Sequence, residues 1–509
     1  MADLLLGLDI GTSGVKVGLA SAGGQLLGLG RARHPNDSPH PDWVQCPPER
    51  WRAGVVAGIQ QACAEAGVQP ADVSAVGISV LFPCITPLDK QARPLYPALL
   101  YSDRRSTAQV DAIERLLPRD RYQDIIGNVL TPGTCAVTSI AWLRDEQPDI
   151  AARTHCFAPA NTAISAWLTG EFAADPAMVA LSGLVDIHDP WRWNEGLCET
   201  LGIDVQRLPR IAAAHEIVGT VTRAAADATG LKPGTPVACG TGDVPASAFA
   251  CGAVDSSAVV YVAGSTDCVA VPVAQPTPDR RWVNCAYIPK DAWLPIGTTT
   301  SSGVSVEWFL RELLGQSGSD GIQAMTALAE SAEPGSGRLL YLPYLQGERT
   351  PLWDPQARGS FFGLSTATTR ADLARAVFEG TAFGLRMVID SIEQVAGTAV
   401  SEIRAVGGGT KNALWNQIKA DVLQRPLAVL EFQETSSLGA ALLAGLGAGL
   451  YPSFEAAAAV AWAGNHARLV EPSAANAPRY NELFGLFQQL YPATRPIAHA
   501  LSRRTADAP

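Results

Sequence analysis

The segment Gly7-Leu8-Asp9-Ile10-Gly11-Thr12-Ser13-Gly14-Val15-Lys16 predicts a β-hairpin whose turn can bind phosphate. Apolar residues precede and follow the turn, as expected for two adjacent strands. Its glycines let backbone amides approach an anion closely, Thr12 and Ser13 add hydroxyl donors, and Lys16 adds positive charge. Asp9 stands where a carboxylate could hold a hydrated divalent cation against phosphates. An ordinary hairpin with a glycine turn is the alternative interpretation, and the pattern is not a Walker P-loop.

The same pattern occurs a second time near the middle of the chain. An apolar stretch at 258–263 leads into Gly264-Ser265-Thr266-Asp267, after which residues 268–271 resume strand character. Each hairpin opens a half of similar size, so we expect an internal duplication with a nucleotide held between the halves. Further on, a strand at 403–406 runs into the glycines of 407–409 and then a helix, which predicts another nucleotide contact. A chance recurrence of a glycine-rich hairpin is the alternative.

The composition is that of a globular protein with large buried cores. Hydrophobic residues make up 47% of the 509 residues and charged residues 17%, and this length favours two domains. The formal net charge of −11 argues against nucleic acid as a partner, because that would need a basic surface. The longest apolar tract, 438–450, is rich in alanine and glycine and short for a membrane span. It therefore predicts a buried helix and no membrane partner.

The cysteines indicate a reducing environment. All ten are spread singly, without a C-x-x-C pair or histidines at zinc-finger spacing, so a structural metal site is not expected. Charged residues as early as Asp3 and Asp9 leave no room for a secretory leader. We therefore expect buried, reduced thiols in a cytoplasmic protein.

Strands and helices alternate along the chain, which predicts an α/β fold. Helical spacing at 51–64 is followed by a strand at 73–80, and a long helix is predicted at 370–388. The stretch after Leu490, with Arg503-Arg504, is expected to be a frayed terminus. The predicted domains are an N-terminal domain at 1–249, a C-terminal domain at 250–470, and a helix with a tail at 471–509.

Together the motifs resemble the FGGY family of carbohydrate kinases, within the actin/hexokinase-like ATPases. The most specific match is Gly359-Ser360-Phe361-Phe362-Gly363-Leu364, followed by Asp372-Leu373 and Ala376-Val377-Phe378-Glu379. Other matching segments occur in the family's order from Leu4 to about Gly449; they are DIGTSGVK at 9–16, LTGE at 168–171, GTGD at 240–243, PYLQGERTP at 343–351, GGGTKN at 407–412 and LGAA at 438–441. The resemblance implies two ribonuclease H-like (actin-like ATPase) domains with an interdomain cleft.

The resemblance also implies a set of roles for reaction with ATP and Mg²⁺. Asp243, which follows a strand and a glycine pair, would be the general base, although an aspartate in such a turn can be only a local cap. Asp9 would hold Mg²⁺ through water. The transferring phosphates would contact Gly11, Thr12, Ser13 and Lys16, and the other phosphates would contact Gly264, Ser265 and Thr266. The adenosine would contact Gly303, Glu307, Gly408 and Asn412. The sugar would contact Phe82, Pro83, Asp103, Arg105 and Thr134. Trp308 is expected to belong to the core, and Asp103 with Arg105 could instead form a structural ion pair.

Departures from the family pattern fall mainly where the sugar would bind. Ser139 stands where the family usually has lysine, Leu81-Phe82-Pro83-Cys84 replaces the Met-His or Arg-Glu pairs of xylulose and glycerol kinases, and Tyr101 replaces a tryptophan. The expected activity is ATP-dependent phosphorylation of a small sugar, a ketopentose of the xylulose or ribulose type. Glycerol, erythritol, a heptulose or a linear signalling dione are alternative acceptors, and a non-catalytic actin-like nucleotide switch is the alternative from another class. The oligomeric state is left open, with a homodimer as one option.

Overall fold

The computed structural model of the chain describes residues 3–397, 399–463 and 466–502. In the first half the strands are β1 Leu4–Ile10, β2 Gly14–Ser21, β3 Leu26–Arg33, β4 Gln45–Cys46, β5 Ala75–Val80, β6 Cys84–Leu88, β7 Ala98–Leu100, β8 Cys156–Ala158, β9 Ala173–Ala174, β10 Arg210–Ile211, β11 Ile217–Thr220, β12 Pro236–Ala238 and β13 Thr241–Gly242. The helices there are α1 Pro48–Ala66, α2 Thr107–Leu116, α3 Arg119–Ile126, α4 Ala136–Glu146, α5 Pro148–Arg153, α6 Ala160–Thr169, α7 Pro176–Ala180, α8 Glu195–Leu201, α9 Arg223–Thr229 and α10 Asp243–Ala250.

The second half continues the alternation of strands and helices. Its strands are β14 Ala258–Ala263, β15 Asp267–Ala270, β16 Val283–Ala286, β17 Trp293–Thr298, β18 Leu340–Leu342, β19 Ser360–Phe362, β20 Glu402–Val406, β21 Leu427–Leu430 and β22 Ala467–Val470. Its helices are α11 Gly303–Leu313, α12 Gly318–Glu330, α13 Arg370–Ala396, α14 Ala413–Leu423, α15 Thr435–Gly447, α16 Phe454–Ala463 and α17 Ala477–Ser502. The predicted α/β class is confirmed.

The chain divides into two compact units that are not contiguous in sequence. The first unit comprises the residues up to Asp255 with Pro272–Pro295 and Glu434–His466, and the second comprises Ser256–Val271, Ile296–Gln433 and the residues from Ala467 onward. The predicted boundary between residues 249 and 250 is close to Asp255, after which the chain first passes from the first unit to the second. The segments Pro272–Pro295 and Glu434–His466 differ from the prediction, which placed them in the C-terminal domain.

The main sheet of the first unit has the strand order β3-β2-β1-β5-β12-β11. Strands β1, β2 and β3 form an antiparallel meander, β5 and β12 continue the sheet in parallel with β1, and β11 closes it antiparallel. Strands β1 and β5 are almost wholly buried, because both consist of apolar residues and glycine along most of their length. The predicted hairpin of β1 and β2 therefore forms two adjacent strands of this sheet, and β1 is one of its two middle strands.

The main sheet of the second unit repeats this topology. Six of its seven strands follow the order β17-β15-β14-β20-β21-β22, with an antiparallel meander of three strands, two further parallel strands and an antiparallel strand after them. The second predicted hairpin, β14 and β15, occupies the place that β1 and β2 occupy in the first sheet. The repeated hairpin is thus part of a repeated sheet, as the sequence predicted.

Helix α15 packs on the first sheet through glycines. A Cβ atom on Gly7 would lie 1.7 Å from the carbonyl oxygen of Ser437, and one on Gly77 would lie 1.8 Å from that of Ala440. Such distances exclude any side chain at these two positions. The helix is buried from Leu438 through Gly445, which confirms the predicted buried helix and explains why the returning segment groups with the first unit.

Two predictions near the C-terminus need correction. Helix α13 extends to Ala396, beyond the predicted end at 388. The expected frayed terminus after Leu490 is wrong up to Ser502, since α17 continues through Pro492 and Pro496 and buries Tyr491 and Ala498 against its own unit. Arg503 and Arg504 lie outside the described residues. Among the described residues, no helix combines the length and apolar character needed to cross a membrane.

Candidate active site

Asp9 lies near the end of β1, paired with Lys16 across the hairpin and with Ser79 of β5 on the other side. It is only 7% exposed, and its Oδ1 accepts a hydrogen bond of 3.3 Å from the Ser79 hydroxyl. Burial, together with the negative charge of Asp243, raises the pKa of Asp9 to about 7, while Lys16 opposes the shift. A buried carboxyl in this state would be stabilised as an anion by an added cation.

Asp243 is brought to the same edge of the sheet as Asp9. The short strand β13, which immediately precedes it, pairs in parallel with Ser79 and Val80 at the end of β5. Asp243 is half-buried at the first position of α10, and burial raises its pKa to about 6. Its Oδ1 accepts a hydrogen bond of 2.8 Å from the backbone N–H of Val244, so the local-cap interpretation accounts for one carboxylate oxygen.

The turn between β1 and β2 is held by backbone and amide contacts. The N–H of Gly11 donates to the carbonyl of Gly14 at 2.9 Å, and Asn36 donates from its side chain to the carbonyl of Thr12 at 2.9 Å. The backbone N–H of His34 donates to the carbonyl of Ser13 at 3.1 Å. These bonds use the carbonyl groups of the turn, which leaves a conformation suited to presenting amide and hydroxyl donors to an anion.

Lys16 has a partner that sequence reasoning missed. Its Nζ lies 3.0 Å from Glu434 Oε2, and Arg31 contacts the other carboxylate oxygen of Glu434 at 2.7 Å. Burial would raise the pKa of Glu434, but the hydrogen bond from Arg31 and the charge of Lys16 hold it below its usual value. Glu434 directly precedes α15, and no local pattern relates it to a hairpin at the other end of the chain.

A second missed residue, Asp175, lies behind the strand that carries Asp243. It is 1% exposed, and the hydroxyl of Thr241 in β13 donates to its Oδ2 at 2.7 Å. Asp175 also caps α7 by accepting from the backbone N–H groups of Ala177 and Met178. Burial raises its pKa to about 7. The sequence signal was an aspartate directly before Pro176, which is typical of a helix N-cap with proline at the first helical position.

Among the predicted sugar-side residues, Phe82 packs on Gly242, which directly precedes Asp243. A Cβ atom on Gly242 would lie 2.6 Å from the Phe82 ring, so the ring packs on the residue that precedes Asp243. The Phe82–Pro83 peptide bond is cis, and Pro83 is buried. Thr134 is half-buried and donates from its hydroxyl to the carbonyl of Thr131 at 3.1 Å.

Asp103 and Arg105 form a buried ion pair. Each side chain is 1% exposed, and Arg105 Nη2 lies 2.8 Å from Asp103 Oδ2. Asp103 also accepts from the backbone N–H of Val44 at 2.6 Å, and the guanidinium lies 3.9 Å from the ring of Trp43 and 4.9 Å from that of Trp142. The structural ion-pair interpretation therefore describes their geometry, and direct sugar contacts by these two residues stay a prediction.

In the second unit, the predicted nucleotide residues meet around the turn after β14. The N–H groups of Gly303 and Val304, at the start of α11, donate to the carbonyls of Gly264 and Ser265 at 3.2 and 3.0 Å. A Cβ atom on Gly407, whose φ is 98°, would lie 2.4 Å from the carbonyl oxygen of Ala263. Glycine is therefore required there for the close approach of the two segments.

The remaining predicted nucleotide residues lie on the helices around this turn. Gly408 is exposed, and Glu307 is exposed on α11. Asn412 caps α14: its Oδ1 accepts from the N–H of Trp415 at 3.0 Å, and its Nδ2 donates to the Thr326 hydroxyl at 2.8 Å. Trp308 packs beside Tyr341 with nearly parallel rings at a centroid distance of 6.3 Å, as expected for a core residue.

Comparison with known proteins gives matches along the whole chain. Residues 4–250 match the model of the N-terminal domain of the FGGY family of carbohydrate kinases, and residues 259–448 match that of the C-terminal domain. The chain is 27% identical over 501 residues to the xylulose kinase of Bacillus subtilis, covering 98% of both chains. It is 25% identical over 464 residues to the gluconokinase of the same organism, covering 90% of both.

A solved structure is similar over the same extent. The crystal structure of xylulose kinase from Rhodospirillum rubrum superimposes with a TM-score of 0.89 at 27% identity, covering 97% of this chain and 100% of that chain.

Proposed function

The chain belongs to the FGGY family of carbohydrate kinases, and we propose that it transfers the γ-phosphoryl group of ATP to a hydroxyl of a ketopentose, of the xylulose type, with Asp243 as general base. ATP-dependent phosphorylation of a sugar follows from the family. The identity of the acceptor and the roles of individual residues are the proposal. Similarity to xylulose kinases over nearly the full length supports the acceptor.

The observation that carries the proposal is the pair of carboxyl groups at one edge of the first sheet. Asp9 follows from β1 and Asp243 from β13, and both strands pair in parallel with β5. Phosphoryl transfer to an alcohol needs an acceptor for the hydroxyl proton and positive charge near the phosphates. Two carboxyl groups with unequal environments, one half-exposed and one buried, suit these separate tasks.

Asp243 would take the proton as the sugar oxygen attacks. The bond from that oxygen to the γ-phosphorus forms, the bond from the γ-phosphorus to the bridging oxygen breaks, and ADP leaves. A pKa of about 6 keeps Asp243 ionised at neutral pH and brings its basicity closer to neutral pH than that of an ordinary aspartate. Positioned bases of this kind contribute about 10²–10⁴-fold to the rate.

Asp9 fits a role in holding Mg²⁺ with the nucleotide. Its buried carboxyl has one hydrogen-bond donor, Ser79, and lies within the negative field of Asp243, a donor set that favours binding a cation. Mg²⁺ keeps much of its water shell and commonly uses one or two carboxylates plus phosphates, so it would neutralise phosphate charge while Asp9 holds it through water.

The turn of each hairpin has groups that suit contact with phosphate. Amide and hydroxyl donors of Thr12 and Ser13, with Lys16, suit the transferring phosphates, and Gly11 would let these phosphates approach the backbone closely. The turn of Gly264, Ser265 and Thr266 suits the other phosphates. The adenosine is assigned to Gly303, Glu307, Gly408 and Asn412, which lie on or beside the segments packed against the second turn. Their support is the backbone contact of α11 with that turn.

We place the reaction in the cytoplasm, where reduced thiols suit the largely buried cysteines.

A second class of substrate is compatible with the residues of the proposed acceptor site. Phe82 supplies apolar surface beside Gly242, where a polyhydroxylated sugar would otherwise find donors. The similarity to a gluconokinase adds a linear sugar acid to the acceptors that should be compared with pentuloses. The others are glycerol, erythritol, a heptulose and a dione.

A substrate panel with one active-site variant tests the proposal. Purified protein should consume Mg-ATP faster with xylulose or ribulose than with gluconate, glycerol or erythritol. Asp243→Asn should lower kcat by about 10²–10⁴-fold, because the hydroxyl proton loses its acceptor, while ATP binding stays measurable by calorimetry. Asp227→Asn, an exposed aspartate in a surface pair with Arg223, is the matched control and should keep wild-type rates.

Two outcomes would contradict this assignment. Normal turnover by Asp243→Asn would contradict the assignment of Asp243 as general base. Preference for a non-pentulose acceptor would contradict the proposed substrate. Light scattering on the same preparation would show whether the protein is a homodimer.

A further inference from the structure

The second unit buries a lysine and an aspartate for which the reaction has no direct use. Lys419 of α14 is 0% exposed and Asp267 at the start of β15 is 1% exposed. Lys419 Nζ and Asp267 Oδ2 both lack a hydrogen-bond partner among the described residues. Burial lowers the pKa of Lys419 to about 8, and the charge of Asp267 opposes that shift. The two charges therefore stabilise each other in an interior where each alone would be costly.

Aromatic rings enclose the ammonium group. Lys419 Nζ lies 3.7 Å from the ring centroid of Trp415 and 5.0 Å from that of Tyr261. The hydroxyl of Tyr261 donates to Asp267 Oδ1 at 2.9 Å, so the same tyrosine contacts both members of the pair. Cation–π contacts of this kind gain strength when the cation is removed from water.

Asp267 directly follows the turn that would grip the nucleotide phosphates. Its backbone N–H donates to the Thr299 hydroxyl at 3.1 Å, and its carbonyl accepts from the N–H of Thr299 at 3.0 Å. Across the turn it pairs with Ala263, whose carbonyl oxygen is the atom that Gly407 approaches. The position of Asp267 thus sets the position of the turn relative to the strands on both sides.

Lys419 belongs to the helix that follows the glycine turn. Helix α14 is capped by Asn412, and Trp415 anchors it by donating from Nε1 to the Thr381 hydroxyl at 3.1 Å. Tyr261, whose ring lies beside the Lys419 ammonium group and whose hydroxyl donates to Asp267, therefore connects this helix with the hairpin turn of Gly264, Ser265 and Thr266.

We propose that Asp267 and Lys419 are positioning residues for the nucleotide: through Tyr261, which contacts both of them, they fix the phosphate-binding turn after β14 against helix α14, whose N-cap is the adenosine-side residue Asn412. The inference rests on the proposed ATP-binding role of these two segments. A buried charge pair is weak evidence for a contribution to stability, because an apolar pair of similar volume is often as stable or more so. Fixing the relative position of two binding segments is a function that an apolar pair would perform less well.

The double variant Asp267→Asn with Lys419→Met separates positioning from stability. It removes both charges, keeps an acceptor for the Tyr261 hydroxyl and avoids leaving one charge buried alone. We expect its melting temperature to stay near the wild-type value. The dissociation constant for a non-hydrolysable ATP analogue and the KM for ATP should rise roughly 3- to 30-fold, the range typical of residues that act through a network. The KM for the sugar should be unchanged and kcat should stay within about twofold.

Arg425→Met with Glu393→Gln is the matched control. This half-buried pair, 2.8 Å apart, joins the residues just after α14 to the end of α13, so it tests loss of a charge pair at the other end of the same helix. It should leave nucleotide affinity unchanged. Nucleotide binding by the double variant within twofold of wild type would overturn the inference, and so would an equal effect of the control.

A milder variant decides the question if the double variant does not fold. Tyr261→Phe removes only the hydroxyl that reaches Asp267, and it should weaken binding of the ATP analogue by roughly two- to fivefold; an unchanged dissociation constant would overturn the inference. Failure of the proposed function is distinguishable, because the wild-type protein would then bind no ATP analogue at all.

Discussion

At the scale of single residues, the proposed chemistry depends on two carboxyl groups, of which Asp9 is buried and Asp243 half-buried. Asp9 and Asp243 both have raised pKa values, and Asp9 is raised partly because Asp243 is near. Lys16 limits the shift of both carboxyls, and Glu434 in turn holds Lys16.

The pH dependence of the reaction follows from the state of Asp243. A base must be deprotonated to accept a proton, and with a pKa of about 6 it becomes protonated as the pH falls through that value. We expect kcat/KM to fall about tenfold per pH unit below pH 6 and to level off above about pH 7. Circular dichroism at each pH would confirm that the protein stays folded. A profile that stays flat down to pH 5 would be inconsistent with this base.

Thr241 offers a second test at this scale, because it connects Asp175 to the strand before Asp243. Thr241→Val removes the shorter of the two hydrogen bonds to Asp175 Oδ2 and leaves this buried oxygen with only the 3.3 Å bond from the Ala177 N–H, so we expect a loss of about 1–3 kcal/mol in the free energy of unfolding. The expected kinetic result is a lower kcat, since β13 places the base. Urea unfolding and steady-state kinetics measure the two effects.

Thr229→Val is the control for that variant. Thr229 is equally buried and its hydroxyl donates to the carbonyl of Ala225 at 2.7 Å, in a helix that carries none of the proposed site residues. It should lose stability without a change in kcat. Equal kcat losses in both variants would show that general destabilisation, rather than placement of Asp243, is responsible.

At the scale of elements, the contact of α15 with the first sheet requires two glycines. Gly77→Ala would place a methyl group 1.8 Å from the carbonyl oxygen of Ala440, so the helix would have to move away. We expect a loss of at least about 1–3 kcal/mol in the free energy of unfolding, and low recovery of folded protein. Chemical denaturation provides the measurement.

Gly485→Ala in α17 is the control for Gly77→Ala. No heavy atom lies within 4 Å of a Cβ built at this position. The same substitution should therefore stabilise the protein by up to about 1 kcal/mol through helix propensity. If Gly77→Ala were as well tolerated as Gly485→Ala, the close packing of α15 on β1 and β5 would be contradicted.

The elements could be predicted where their signal is local. The β1–β2 and β14–β15 hairpins follow from apolar runs around glycine turns, and α15 from a continuous apolar stretch that buries on every side. The C-terminal part of α17 could not be predicted in this way. Pro492 and Pro496 argue locally against a helix, and the burial of Tyr491 and Ala498 overrides that preference.

The site could be predicted only in part for a related reason. Asp9, Asp243 and the turn residues belong to short motifs, so they can be proposed as site residues from the sequence alone. Glu434, Asp175 and Lys419 act through contacts with residues distant in the chain, and no spacing or periodicity relates the partners. Their detection requires the tertiary structure.

At the scale of the whole molecule, the proposed function predicts linkage between nucleotide, metal and stability. A ligand that binds only the folded protein stabilises it by about 2.7 kcal/mol when present at 100 times its dissociation constant. Mg²⁺ with a non-hydrolysable ATP analogue should therefore raise the melting temperature, and EDTA should remove most of that increase. Differential scanning fluorimetry with and without EDTA measures both.

Asp9→Asn separates the metal effect from that of the nucleotide alone. With the carboxylate replaced, the dependence of the thermal shift on Mg²⁺ should become weaker, because the proposed holder of the cation is gone. A thermal shift that EDTA leaves unchanged in the wild-type protein would contradict the role of Mg²⁺.

The return of residues Glu434–His466 to the first unit restricts how the gene could be divided. A fragment ending near Asp255 would lack α15, and the glycine-lined surface of β1 and β5 would then face solvent. Such a fragment would be expected to aggregate or be degraded. Split reporters, truncation libraries and domain grafts based on this chain would therefore need a cut inside a surface loop of the intact protein rather than at the apparent midpoint of the sequence.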